Sequence, residues 1–166
     1  PLSGGKAVSI AHHPDVQRML MQMRALTEGS RALAYFAAGV NDKARHSADE
    51  NARKRYQALY EFLVPVVKGF STEMSLEVTS LGVQVHGGMG FIEETGAAQH
   101  YRDSRILPIY EGTTAIQAND FIGRKVLRDA GAVIKGLAPE LGATVAKLRE
   151  RAAQDGAHKA ALTLIA

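Results

Sequence analysis

Glu111 is the residue whose surroundings most invite chemistry. The apolar run Ile106-Leu107-Pro108-Ile109-Tyr110 precedes it and Gly112-Thr113-Thr114 follow. Apolar surroundings disfavour a carboxylate's anionic form and move its titration towards neutrality, where a general base works. A solvated loop glutamate is the plainer account, and spacing alone favours it. A second candidate is Gln84-Val85-His86-Gly87-Gly88-Met89-Gly90-Phe91. Glycines reach positive φ and let a backbone approach a ligand closely, and the exposed N–H groups of such a loop can cradle phosphate oxygens. A helix precedes this stretch, so it is not the strand–loop–helix fingerprint of a dinucleotide fold. A helix C-cap followed by a turn explains the same glycines more simply.

Other chemistries are excluded more firmly. His12, His13, His46, His86, His100 and His158 form no i, i+4 helical pair and no Glu-x-x-His spacing. No metal site is expected, because a bound metal needs several convergent ligands. With no cysteine, thiolate zinc sites, iron–sulfur clusters, disulfides and cysteine nucleophiles are all ruled out. Twenty Lys and Arg against seventeen Asp and Glu leave a net charge of +3, with basic and acidic residues interspersed, as in Arg102-Asp103-Ser104-Arg105. That is too weak for a surface that tracks phosphates, and no nucleic-acid partner is expected. No apolar run approaches the ~20 residues of a membrane span and no signal peptide is visible, so a cytoplasmic location is expected.

The elements that must position these candidates are helical almost throughout. The 166 residues, 46% of them hydrophobic and 22% charged, supply ample material for one core. From Pro14 onward, Val16, Met19, Leu20, Met23, Leu26, Ser30, Leu33, Ala34 and Ala37 recur at three- and four-residue spacing. This pattern decays at Gly39-Val40-Asn41-Asp42, and residues 41–53 read as a solvated loop or a surface helical turn. A second stripe runs from Tyr56 to Val85. Pro65 should break it, giving two helices that meet there, the second ending at Gly87-Gly88. A shorter helix is expected from about Thr95 to Arg105, then one from near Thr113 to near Gly131. The latter opens on the capping box Thr114-Ala115-Ile116-Gln117. A last amphipathic helix spans roughly Val133 to Ala153. Strand signals are almost absent, so the fold expected is an all-α helical bundle. The opening Pro1-Leu2 and the closing apolar run Ala160 to Ile165 suggest a fragment of a longer parent.

Taken in order and spacing, three segments carry a resemblance: Gln84 to Phe91, Tyr101-Arg102-Asp103-Ser104-Arg105-Ile106, and Ile109-Tyr110-Glu111-Gly112-Thr113. Over roughly residues 12–130 the chain resembles the C-terminal helical domain of acyl-CoA dehydrogenases. His13 to Leu20 and Ala25 to Tyr35 look like the longer bacterial branch that includes 3-methylmercaptopropionyl-CoA dehydrogenase-like enzymes. That branch continues into extra C-terminal helices. The resemblance implies a four-helix core over residues 1–131 and the truncated start of a further helical region over 132–166.

Much else is implied by the resemblance alone. Glu111 would be the base that removes the α-proton of an acyl-CoA thioester, while the β-hydrogen leaves as hydride to FAD. The product would be a trans-2-enoyl-CoA. Tyr110 and Gly112 would face the substrate and Thr113 would touch FAD. Gln84, Val85, His86, Gly87 and Gly88 match the loop that contacts the adenosine diphosphate part of FAD bound mainly to a neighbouring subunit. A homo-oligomer, dimer or tetramer, follows, with an electron-transfer flavoprotein as electron acceptor. Ala115 stands where relatives often carry Asn or Gln, so no role is carried onto it. The alternatives are a helical oligomerisation module without activity of its own, and a fragment of an acyl-CoA oxidase.

Overall fold

The computed structural model describes residues 4–5 and 7–154, and among these it is helical with no strand. Two long helices dominate: α1, Pro14–His46, and α2, Glu50–Val85. At 1.5 Å per residue they run about 50 and 54 Å. Shorter helices follow as α3, Ala97–Ser104, and α4, Thr114–Asn119, and then comes α5, Ala132–Gln154. Tight 3₁₀ turns occupy Gly87–Phe91 and Glu93–Thr95, and α4 passes directly into a π-helical segment, Asp120–Val126.

The reversal between α1 and α2 takes three residues, not thirteen. α1 continues through the polar stretch as far as His46 because Val40 and Ala44, four apart, are both buried. One apolar residue per turn is enough to hold the helix on its neighbour, and the charges between take the solvated side. Lys43, Arg45 and His46 lie in its last turn, where cations suit the negative end of the helix dipole. The Asp49 carboxylate opens α2 by accepting from Asn51 N (3.1 Å) and Ala52 N (3.0 Å). Arg53 reaches back to donate to Ser47 O and Ala48 O, at 2.7 and 3.0 Å. Replacing Asp49 with Ala strips two caps and should lower unfolding free energy by about 1 kcal/mol. Urea titration of the two proteins checks this, and an unchanged midpoint refutes it.

Pro65 does not divide the second stripe. α2 is one helix of 36 residues with Pro65 inside it. The proline removes the hydrogen bond to Glu61 O, a cost of about 3 kcal/mol in an isolated helix. Here Pro65 is buried beside Phe62 and Leu63, so the apolar face packs on both sides of the missing bond and keeps the axis continuous. Ala37, Val40, Phe62 and Leu63 form the core, and Leu33, Tyr56, Leu59, Val67, Phe121 and Val126 pack against it. Phe62 and Phe121 meet with ring centroids 5.0 Å apart and planes tilted by 55°, an arrangement aromatic pairs favour. That contact seats the π-helical segment on α2. Lys125 adds an ion pair to Glu61 at 3.2 Å. The Gln57 amide and then the Lys125 ammonium hold the Glu61 carboxyl below its ordinary value.

α3 is fastened to α2 by Thr79 Oγ1 and Ser104 Oγ, 2.9 Å apart, with Ser104 buried. The last helix starts where Asp129 accepts from Gly131 N (2.8 Å) and Val133 N (3.2 Å). Val133 and Leu137 reach the core, while Leu141, Val145 and Leu148 further along α5 are exposed. The apolar run from Ala160 to Ile165 lies outside the described residues. No described helix is long and apolar enough to cross a membrane.

Candidate functional site

The segment between α3 and α4 is a closed loop rather than a loose connection. Ile109 N and Tyr110 N both donate to Ile106 O, at 2.9 and 3.1 Å, and Thr114 N donates across to Pro108 O at 3.2 Å. Pro108 is buried and Leu107 half-buried, which pins the loop's base. Glu111 stands at its apex with φ 53°, in the left-handed region, and Gly112 follows at φ 93°. Consecutive positive φ values turn the chain sharply. Glycine takes such a conformation without penalty, whereas a residue with a side chain pays about 1–2 kcal/mol. A glutamate held there is an observed strain, and strain of this kind concentrates at functional positions.

The plainer account of Glu111, a solvated loop residue, agrees with the fold, and the cap reading is corrected. The Glu111 side chain is exposed, and Ile106, Ile109 and Tyr110 are themselves each about half exposed, at 51%, 45% and 46%. The apolar run turns its large side chains outward and so does not enclose the carboxylate. The helix cap also lies one residue earlier than the capping-box reading. Thr113 is the N-cap of α4 and its Oγ1 accepts from Ile116 N at 3.3 Å. Thr114 is therefore free to bond elsewhere, and its hydroxyl donates to the Glu73 carboxylate on α2. The Gln117 amide turns back over the loop, with Nε2 lying 2.7 Å from where a Cβ on Gly112 would sit.

The second group of residues is at the far end of α2. Gln84 and Val85 end the helix and His86 caps it, and Gly87 bends away at φ 61°. The His86 Nδ1 lies 2.8 Å from Gly82 O; in the neutral ring Nδ1 then carries the hydrogen and Nε2 is left as an acceptor. A Cβ on Gly87 or Gly88 would meet nothing within 4 Å, so both backbones are open on that side. Gly90 is the opposite case, buried, with Val83 O and His86 Cβ crowding its vacant position. Glu93 and Arg102 then pair through two bonds of 2.7 and 3.2 Å, bracing the turn against α3. An open cavity of about 370 Å³ lies beside this end, lined in part by Met23, Gly82, His86 and His100.

The structure thus brings Tyr110, Glu111, Gly112 and Thr113 together and keeps Gln84 to Gly88 apart from them. The loop is tied to Lys68 and Glu73 on α2, and Gln84 lies eleven to sixteen residues further on. That is roughly 16–24 Å along the helix axis. Among the described residues no cluster of three His, Asp or Glu side chains suits a metal. Lys68 and Glu73 were absent from the sequence candidates, although one signal was available. Lys68 is the sole charge in the run from Phe62 to Thr72.

The model of the acyl-CoA dehydrogenase C-terminal domain matches residues 5–127. The chain belongs to the acyl-CoA dehydrogenase family. It is 63% identical over 146 residues to 3-methylmercaptopropionyl-CoA dehydrogenase of Ruegeria pomeroyi, covering 88% of this chain and 25% of that one. It is 40% identical over 131 residues to the broad-specificity linear acyl-CoA dehydrogenase of Mycobacterium tuberculosis, covering 76% and 21%. A butyryl-CoA dehydrogenase of Syntrophomonas wolfei is 35% identical over 142 residues, covering 86% and 23%. The chain therefore spans about a quarter of the length of these family members.

Proposed function

We propose that the chain is the C-terminal helical part of a flavin-dependent acyl-CoA dehydrogenase and that Glu111 is its catalytic base. The observation that carries this reading is the strained Glu111 at the apex of a loop closed by Thr114 N and Pro108 O. In the proposed reaction the Glu111 carboxylate takes the α-proton of an acyl-CoA thioester. The β-hydrogen leaves with its electron pair as hydride, and the Cα–Cβ double bond forms. The α-proton is weakly acidic, so the carboxylate must be held against it while the thioester carbonyl is polarised. Gly112 would lie beside the base with only its backbone, since Gln117 Nε2 already crowds its vacant Cβ position, and Tyr110 and Thr113 stand on either side of the pair.

FAD supplies the hydride acceptor when bound. The residues Gln84 to Gly88 suit its adenosine diphosphate part, because the backbones of Gly87 and Gly88 are open to close approach and His86 Nε2 is free to accept. Their distance along α2 from Glu111 fits a loop that serves a neighbouring subunit's cofactor. We therefore propose a homo-oligomer, dimer or tetramer, with an electron-transfer flavoprotein as acceptor and the cytoplasm as location. Residues 1–131 are the family's bundle in this reading and 132–166 begin a further helical region. The exposed Glu111 supports the corollary that this chain alone is inactive and serves as a helical association module.

The test mixes the whole protein carrying this chain anaerobically with a panel of acyl-CoAs, 3-methylmercaptopropionyl-CoA and straight-chain thioesters among them. Oxidised-flavin absorbance is followed. Bleaching by at least one thioester is the expected result, and retained flavin that no thioester bleaches overturns the reading. Oxygen consumption after bleaching separates an oxidase from a dehydrogenase.

A further inference from the structure

The loop that presents Glu111 has no hydrophobic anchor at its tip; Ile109 and Tyr110 are about half exposed. Beyond the buried base at Pro108 and the loop's own backbone bonds, two polar ties to α2 hold it, one on each side of the glutamate. Lys68 Nζ donates to Leu107 O at 2.6 Å and to Tyr110 O at 3.0 Å. The same ammonium sits 5.3 Å from the centroid of the Tyr110 ring, within reach of a cation–π attraction. On the other side, the Thr114 hydroxyl donates to the Glu73 carboxylate. Lys68 and Glu73 are five residues apart on one continuous helix, and residues 107 to 114 are suspended between them.

We infer that Lys68 and Glu73 are positioning residues for the base: they clamp the loop through Leu107 O, Tyr110 O and the Thr114 hydroxyl, and so hold Glu111 at its positive φ. The inference rests on Glu111 being the base. A strained φ persists only where its surroundings over-determine it. Here the determinants include the two ties, the buried Pro108 and the Thr114 N to Pro108 O bond. Lys68 spends its charge on two carbonyl oxygens and a ring, a poor use of a half-buried cation unless the backbone it grips must not move. A charge-assisted bond is about twice as strong as a neutral one, which suits a tie carried by one side chain.

The clamp predicts a separation between binding and chemistry. In the whole flavoprotein, Lys68→Met keeps the aliphatic stem and removes the donor, while Lys68→Arg keeps a cation with several N–H groups. Thr114→Val cuts the second tie alone. The probe is a 3-thiaacyl-CoA, whose β-position carries no hydrogen, so exchange of its α-protons into D₂O reads the base without any hydride loss. Lys68→Met should slow that exchange by roughly 10–100-fold, since a misplacement of about 1 Å costs this much, with probe affinity changed less than threefold. Thr114→Val should slow it less, and Lys68→Arg should recover most of the rate.

A Lys68→Met protein that retains flavin and exchanges at the wild-type rate overturns the clamp. So does equal loss in the Met and Arg variants, which marks Lys68 as structural. Should Lys68→Met fail to fold, Thr114→Val carries the test alone, and an unchanged rate in it is equally fatal. Glu111→Gln run alongside keeps the two readings apart. Wild-type exchange in that variant removes Glu111 as the base, whatever Lys68 does.

Discussion

Replacing Glu111 with Gln should lower the rate of flavin bleaching by an acyl-CoA by about 10²–10⁴-fold, the usual contribution of a positioned base. Size and shape are retained, and so are both loop ties, because neither Lys68 nor Glu73 bonds the Glu111 side chain. Acyl-CoA affinity should therefore hold while chemistry fails. A Gly substitution sharpens the argument. At φ 53° glycine is the relaxed residue, so Glu111→Gly should match or exceed wild-type stability, by up to about 1 kcal/mol, and yet be inactive. A catalytic glutamate at a position where glycine is cheaper would exchange stability for function. If either variant bleaches as wild type does, Glu111 is a loop residue and the base lies elsewhere.

Legibility followed the physics of each segment. The stripes of α1 and α2 are periodic, so their helices were readable, and the family resemblance rested on motifs that survive as linear runs. The end of α1 was not readable, because Ala44 is small and sits among Asp42, Lys43 and Arg45, yet burying it with Val40 is what carries the helix to His46. Pro65 misled for the converse reason. A local rule about one lost hydrogen bond was outweighed by packing of Phe62 and Leu63, which only the assembled pair of helices supplies. The cap shifted from Thr114 to Thr113 because two threonines offer the same hydroxyl, and a partner 41 residues away on α2 decides between them. The π-helical segment has no sequence signature at all; its i→i+5 bonds, Leu127 N to Ile122 O and Gly131 N to Val126 O, accompany the seating of Phe121 and Val126 in the core. Glu111 stood out by sequence because its neighbours do. Lys68 and Glu73 did not, since a tie between a helix and a loop some forty residues away leaves no periodic trace.

The glycines of the second group should divide sharply when each is changed to Ala. At Gly90 the new methyl would meet Val83 O and lie 2.9 Å from His86 Cβ. Val83 O is backbone inside α2 and cannot rotate away, so either the end of the helix or the turn must shift. Forced overpacking of this kind costs about 1–3 kcal/mol and occasionally more, and the upper end is expected here because the obstacle is main chain. The shift would also displace Gly87 and Gly88, so flavin retention should fall together with the unfolding midpoint. At Gly88 a methyl meets nothing within 4 Å and its φ lies outside the left-handed region. Stability should then change by no more than about 0.5 kcal/mol. If Gln84 to Gly88 cradle a cofactor held by another subunit, Gly88→Ala should still lose flavin, because the methyl fills space that nothing in this chain occupies. Thermal melts paired with flavin content separate the two effects. A Gly88→Ala protein that is stable and fully flavinated leaves the open backbone of this loop without a ligand, and the cofactor contact must then be sought elsewhere on the bundle. A Gly90→Ala protein as stable as wild type would mean that the end of α2 yields to main-chain crowding at little cost.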